Sequence, residues 1–245
     1  MKAMIFAAGL GTRLKPITDT MPKALVPVCG QPLLYHVITK LVAAGYDDLV
    51  VNVHHFPDQI IHYLHSHDFG ARIAVSDERD FLRETGGGIR YAGPLLAGES
   101  FLVHNVDIVS NLDLNWLREQ HREGALATLV VSERKTQRYF LFDEDNRLKG
   151  WTNIATGEVR SPFPDIDPDR CRKLAFAGIH LMSPAIFDAF DRYGFGERFS
   201  IVDFYLRACA DYPVYAAVPK DFTLVDVGKK ETLSEAERVC EAILR

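Results

Sequence analysis

The sequence predicts an α/β fold: a Rossmann-like, mostly parallel mixed sheet flanked by helices, with a more β-rich second half. Three observations predict it. Short apolar runs alternate with amphipathic, helix-length segments through the first half. The first apolar run passes straight into a glycine-rich turn. Beyond Leu126 the alternation gives way to closely spaced strand-like runs joined by turns.

Taken in order, residues 3–8 form an apolar run short enough for a buried strand. Residues 32–44 carry helical periodicity and stop at Gly45. Residues 49–53 (LVVNV) read as the second strand, 57–67 as the next helix and 71–76 as an alternating strand. A helix is expected over 87–96 and another strand over 101–106. This order implies βαβ units, hence a sheet covered on both faces. Strands are then expected over 127–131, 139–142 and 148–151, followed by a polar, proline-containing stretch over 152–170. Residues 175–181 (AFAGIHL) form a further strand candidate, with helices near 185–190 and 201–210. Short strands over 214–218 and 222–227 precede an amphipathic helix over 230–244. No repeat, low-complexity linker or composition break appears. The expectation is therefore one domain over residues 1–245, with a nucleotide-type half (1–125) and a more β-rich second half (126–245).

Composition narrows the function. The 245 residues are 47% hydrophobic and 25% charged, enough for a sizeable core. The formal net charge is −5 and no lysine- or arginine-rich block exists, which argues against nucleic acid as partner. Any anion site must therefore be local. Cys29, Cys171, Cys209 and Cys240 are widely spaced, with no CxxC pair, which excludes zinc-ribbon and thioredoxin-like sites and points to a reduced cytoplasmic setting. The opening apolar run is too short for a signal peptide, no segment reaches membrane-span length, and the chain is expected to be soluble. Whether it forms a homodimer is left open.

The segment after the first strand, Gly9-Leu-Gly-Thr-Arg-Leu-Lys-Pro16, has the chemistry of a phosphate loop. Glycines at 9 and 11 permit positive φ and a close backbone approach. Successive amides in such a turn point at phosphate oxygens, and Arg13 adds a fixed cationic fork. A Walker A loop needs GxxxxGK[ST], and five positions on from Gly9 and Gly11 stand Leu14 and Pro16. A dinucleotide GxGxxG motif also fails at Leu14. Lys23 follows in a Pro-Lys pair, and Asn105-Val-Asp107 closes a buried strand. The histidines at 54, 55, 62, 65 and 67 match no closed metal-site spacing and read as a solvated helix face.

Residues 9–27, GLGTRLKPITDTMPKALVP, resemble the signature GxGTRLxPxTxxxPKxLxP of the sugar-1-phosphate nucleotidyltransferases. In motif the chain leans towards the N-acetylmuramate-1-phosphate uridylyltransferases. The resemblance implies a nucleotide site built from Ala7, Ala8, Gly9, Gly11, Thr12 and Arg13, together with Thr85, Gly86 and Gly87 of an ETGGGI segment. It implies catalytic roles for Arg13 and Lys23, with Mg²⁺ held by Asp107 and by Asp226 of the late Asp-Val-Gly motif. Sugar-phosphate contacts fall to Lys23, Asn105, Gly178 and, as a further candidate, Asn153. Val106 and Lys229 depart from the family's usual glycine and threonine. The implied partners are a nucleoside triphosphate and a sugar 1-phosphate. The phosphate of such a sugar is largely dianionic at neutral pH and already nucleophilic, so positioning and charge neutralisation replace a general base. The substrate pair stays open between uridylyl transfer to an amino sugar or its lactyl ether and guanylyl transfer to mannose or heptose 1-phosphate. Two other classes remain: a glycosyltransferase, which needs no triphosphate loop, and an inactive regulatory subunit, which needs none of the four charged residues.

Overall fold

A computed structural model describes residues 1–244. The opening run forms β1 (Lys2–Phe6), whose three central residues are buried. The chain then crosses three 3₁₀ turns, Thr12–Leu14, Ile17–Asp19 and Lys23–Leu25, anchored inward by Leu14, Thr18 and Ala24. Two-residue strands β2 (Pro27–Val28) and β3 (Gln31–Pro32) lead into α1 (Leu33–Ala43). This helix turns Leu33, Leu34, Val37, Ile38 and Leu41 onto one buried face, and Gly45 stops it at φ 84°. β4 (Asp48–Val53), α2 (Pro57–His65), β5 (Arg72–Asp77), α3 (Glu84–Tyr91), α4 (Gly93–Leu96) and β6 (Phe101–Asn105) follow the expected alternation.

Past Asp107 come β7 (Ile108–Ser110) and α5 (Leu114–Glu119). The strands β8 (Ala127–Ser132), β9 (Arg138–Phe142), β10 (Leu148–Asn153), β11 (Glu158–Arg160) and β12 (Arg172–Met182) come next. The chain closes with α6 (Ile186–Arg192), α7 (Ile201–Ala208), β13 (Val214–Ala217), β14 (Leu224–Asp226) and α8 (Leu233–Leu244).

The main sheet runs β11-β10-β9-β12-β6-β1-β4-β5, with β8 on β12 and β13 on β8. The β6, β1, β4 and β5 segment is parallel, as its intervening helices require. From β12 outward the pairing is antiparallel apart from β13 on β8, so both halves of the chain share one sheet. Alternate residues serve opposite faces: Leu102 of β6 joins a core under α1, α2 and α8, while Phe101 and Val103 join one under α3, α6 and α7.

The short strands β2, β3 and β11 were not expected, and three further features differ from the sequence expectation. The third helix starts at Glu84, so Gly86, Gly87 and Gly88 lie inside it instead of leading into it. Helix-interior glycine costs about 1 kcal/mol each relative to alanine, which is why propensity argued for a later start. Close packing overrides that cost, because a Cβ at Gly86 would enter the Phe199 ring and one at Gly87 would strike the Glu197 carbonyl. The second difference is β7, too short for a periodicity to register. The third is α5, set by Asp113, whose carboxylate accepts from the amides of Asn115 (2.8 Å) and Trp116 (3.2 Å).

Two buried histidines give the fold an acid limit. His104 Nδ1 faces the Asn105 carbonyl at 2.8 Å, and His180 Nδ1 faces the Tyr205 hydroxyl at 2.7 Å. Burial is the main cause that lowers His104 to about 4 and His180 to about 3 from 6.5. The folded state thus holds both neutral, and the unfolded chain takes up the extra protons. Their contribution is complete above pH 6.5 and is lost as pH falls towards 4, at up to about 1.4 kcal/mol per pH unit for each histidine. Urea unfolding is expected to give a falling free energy from pH 7 to pH 5, and His180→Asn is expected to fall less steeply.

Candidate active site

The carboxyl ends of β1, β4 and β6 open onto a cavity of about 550 Å³, the place where open α/β sheets bind ligands. Ala7, Ala8, Gly9, Gly11, Thr12 and Arg13 form one wall, with Lys23, Asn105, Asp107 and Thr85 on the others. The wall is held from behind. The Ala7 amide donates to Asn52 Oδ1 at 2.8 Å, and Asn52 Nδ2 donates to Glu78 Oε1 at 2.7 Å. Burial raises the Glu78 carboxyl above its ordinary range, partly opposed by that hydrogen bond. Gly11 sits at φ 64°, and its carbonyl accepts from the Leu14 amide (2.9 Å) and the Thr18 hydroxyl (2.8 Å). A Cβ there would come within 2.8 Å of Thr18 Cγ2, so conformation and space both demand glycine. The result is a rigid turn presenting an exposed Arg13.

The two aspartates meet through backbone pairing. β14 lies antiparallel on β7, matching Asp226 with Ile108 and Val225 with Val109. The Val227 amide donates to the Asp107 carbonyl at 2.8 Å, which extends the ladder to Asp107 itself. On the other side, the Val106 amide donates to the Phe6 carbonyl at 3.2 Å. Lys23, 8% exposed, forms an ion pair with Asp107 Oδ2. Asp226 Oδ1 is buried and has no hydrogen-bond partner among the described residues. Burial first, and then the charge of Asp107, raise the Asp226 carboxyl, while Lys23 and Arg13 act in the opposite direction.

An orphaned carboxylate oxygen beside a second carboxylate is the donor chemistry of a hard divalent cation. Among the described residues no three His, Cys, Asp or Glu side chains converge as a metal cage. The chain therefore offers two carboxylates, the number that suits an ion completing its shell with phosphate oxygens and water.

A second cavity, of about 860 Å³, adjoins the first through Arg13 and also reaches Asp226. Phe140, Trp151 and Phe176 supply its apolar surface, and residues 134–138 and Lys229 its polar one. Gly178, at φ 74°, lies at a bulge of β12, where a Cβ would stand 2.6 Å from Asn105 Nδ2. Its backbone thus sets how far Asn105 leans into the first cavity.

Four expected positions fall outside both cavity walls: Gly178, which stands behind Asn105, and Gly86, Gly87 and Asn153. Gly86 and Gly87 donate their amides to the Phe199 carbonyl at 2.9 and 3.2 Å, so they join α3 to the 197–200 segment. Asn153 Oδ1 accepts from the Ala155 amide at 3.1 Å and shapes the turn into β11, leaving Trp151 of the same strand to face the cavity.

Sequence reasoning missed Asn52, Glu84 and Ser200, which also line the first cavity. Glu84 adopts φ 62° at the start of α3, a strained position for a residue with a side chain, and pairs with Arg198 at 3.0 Å. Ser200 caps α7, and the Thr85 hydroxyl accepts from the Ile201 amide at 2.9 Å. The signal in each case was a polar residue next to a recognised segment. His54 and His55 face the carbonyls of Glu78 (2.7 Å) and Thr18 (3.3 Å), and His62, His65 and His67 are exposed.

Gly228 tests the geometry directly. A Cβ there would stand 2.6 Å from both Arg13 Nη2 and Asp226 Oδ1, driving them apart. Gly228→Ala is expected to lower turnover, read as pyrophosphate release, by on the order of 10²-fold, since misplacement by about 1 Å carries a penalty of that order. The melting temperature should move by only a few degrees.

Known proteins resemble the chain in sequence and in fold. The chain is 32% identical, over 98% of its own length and 97% of the relative's, to the N-acetylmuramate alpha-1-phosphate uridylyltransferase of Caulobacter vibrioides. It is 29% identical to the mannose-1-phosphate guanyltransferase of Eremothecium gossypii, over 77% of this chain and 51% of that one. The crystal structure of HddC from Yersinia pseudotuberculosis superposes with a TM-score of 0.78 at 22% identity, covering 97% of this chain and 98% of the other. The nucleotidyl transferase sequence profile matches residues 2–242, nearly all of the sheet and both cavities, and the chain belongs to that family.

Proposed function

We propose that the protein transfers the uridylyl group of UTP to N-acetylmuramate 1-phosphate, giving UDP-N-acetylmuramate and pyrophosphate. The observation that carries this reading is the match to the Caulobacter uridylyltransferase along almost the full length of both chains. With that substrate we assign the enzyme to cytoplasmic cell-wall recycling.

An oxygen of the sugar phosphate attacks the α-phosphorus of UTP, and the bond from that phosphorus to the β-bridging oxygen breaks, releasing pyrophosphate. No proton has to be removed from the nucleophile. The chain's work is to bring two polyanions together and neutralise them. The amides of the Gly9–Gly11 turn and the Arg13 guanidinium bind the triphosphate tail and hold the leaving pyrophosphate. Lys23, poised on Asp107, binds the incoming phosphate and the charge that builds at the α-phosphorus. Asn105, braced by Gly178, orients the sugar phosphate. Asp107 and Asp226 would hold Mg²⁺, which supplies charge neutralisation at the reacting phosphates.

The first test is pyrophosphate release with Mg²⁺ from UTP, GTP, CTP and dTTP, each against N-acetylmuramate, N-acetylglucosamine, glucose, mannose and heptose 1-phosphates. UTP with N-acetylmuramate 1-phosphate is expected to dominate. The likeness to a mannose-1-phosphate guanyltransferase supports one alternative, and a dominant GTP signal would select it. Absence of pyrophosphate with a folded protein would favour the glycosyltransferase or regulatory classes. In the same assay Lys23→Ala and Asp107→Asn are each expected to lose on the order of 10²–10³ in rate while staying folded. Near-normal turnover by either would remove its assigned role.

The metal assignment has a readout independent of activity. Mg²⁺ is expected to raise the melting temperature of the wild type, because a cation relieves the repulsion between Asp107 and Asp226. Asp226→Asn should be more stable than the wild type in EDTA and gain less from Mg²⁺. An equal Mg²⁺ response in both proteins would place the ion elsewhere.

A further inference from the structure

The second cavity holds more positive charge than a sugar 1-phosphate calls for. Arg13, Arg134, Lys135, Arg138 and Lys229 line it, against Asp226 as its acid. Among the described residues none of these five cations forms an ion pair, in a chain whose net charge is −5. Unpaired cations gathered on one concave surface of an acidic protein mark the place of an anion.

The five divide by position. Arg13 lies where the two cavities join, and Lys229 follows Gly228 and Asp226 directly, so both belong to the phosphate end. Arg134 donates from Nη2 to the Phe176 carbonyl at 2.8 Å and fixes the connection between β8 and β9. The Thr136 amide, bonded to the Tyr139 hydroxyl at 2.9 Å, fixes it a second time. Arg138 stands in β9, across from Asn153. Among the described residues Lys135 and Arg138 form no ion pair.

The same cavity also has an apolar part. Phe140, Trp151 and Phe176 give an aromatic surface suited to the C–H face of a pyranose ring and unsuited to a polyphosphate. A ligand lying on that surface, with its phosphate at Arg13 and Asp226, carries its far substituents towards Lys135 and Arg138.

We propose that Lys135 and Arg138 are specificity residues that bind a carboxylate carried by the sugar itself, here the lactyl-ether acid that distinguishes N-acetylmuramate 1-phosphate from N-acetylglucosamine 1-phosphate. The proposal rests on the substrate reading above and goes beyond it by assigning the discrimination to one loop. Arg138 offers the planar fork that matches a carboxylate, and Lys135 a mobile point charge beside it. Both side chains are solvent-exposed, so screening keeps the gain near the lower end for charge-assisted contacts, about tenfold in affinity.

The test is steady-state kinetics with UTP and each of the two amino-sugar 1-phosphates, for the wild type, Lys135→Ala/Arg138→Ala and Arg138→Lys. The wild type is expected to prefer the carboxylate-bearing sugar by about tenfold or more in kcat/KM, and added salt should narrow that preference. In the double variant the loss with N-acetylmuramate 1-phosphate should exceed the loss with N-acetylglucosamine 1-phosphate by about tenfold, through KM and not kcat. Arg138→Lys should recover part of it. Equal losses with both sugars, or a raised KM for UTP, would mean that the two cations serve phosphates, and the proposal would be wrong. A wild type that uses both sugars equally well would also overturn it while leaving the uridylyltransferase reading intact. Silence with both sugars would remove that reading and the proposal together.

Discussion

Two carboxylates that repel each other are held in one site by a short antiparallel ladder of three facing residue pairs. β14 joins β7 immediately after Asp107, and the Val227 amide closes the ladder on the Asp107 carbonyl. Backbone pairing in a covered position tolerates little slippage, because a shift of one residue would turn Asp226 to the opposite face. The pairing also decides what surrounds it. Gly228 must lack a side chain because Arg13 and Asp226 fill the space beside it. α8 follows at once and buries Ala236 and Cys240 in the core beneath β7. Lys23, from the far end of the chain, comes in over Asp107 as the local counter-charge.

That arrangement explains how an acidic protein handles two anionic substrates. Its overall charge does not attract them, so the attraction is concentrated at the carboxyl edge of the parallel strands. Arg13 and the glycine turn stand on one side of the junction, and the cation-lined aromatic cavity on the other. The floor of the nucleotide side is rigid for a stated reason: Asn52 bridges the Ala7 amide to the Glu78 carboxyl inside the sheet. Preorganisation of this kind lets phosphate chemistry proceed without a general base.

The parts of the site that sequence made legible are those carried by contiguous segments. Arg13 and Lys23 lie in one unbroken signature, and Asp107 closes an apolar strand that could be recognised as such. Asp226 was legible as a motif, but its partner strand β7 was not, because three residues establish no period. Glu84 and Asn52 were missed because their importance depends on groups that meet only in the folded sheet. The glycines at 86 and 87 were misplaced for the opposite reason. Local propensity argues for a helix start, whereas the packing of Phe199 and Glu197 requires them inside the helix. Asn153 was read as a candidate sugar contact; in the fold its Oδ1 accepts from the Ala155 amide and it lines neither cavity.

The seam between α3 and residues 197–200 links regions that a diagram of the fold would keep apart. Phe199 accepts two amides from α3, donates its own amide to the Arg83 carbonyl, and packs its ring where the Gly86 side chain would have been. The Thr85 hydroxyl meets the start of α7 beside it. This wall of the first cavity and the helix leading back to the second are thus a single mechanical part. Val202 of α7 lines that second cavity. A displacement of residues 197–200 would therefore be felt at both cavities, since the same short segment braces α3 and starts α7.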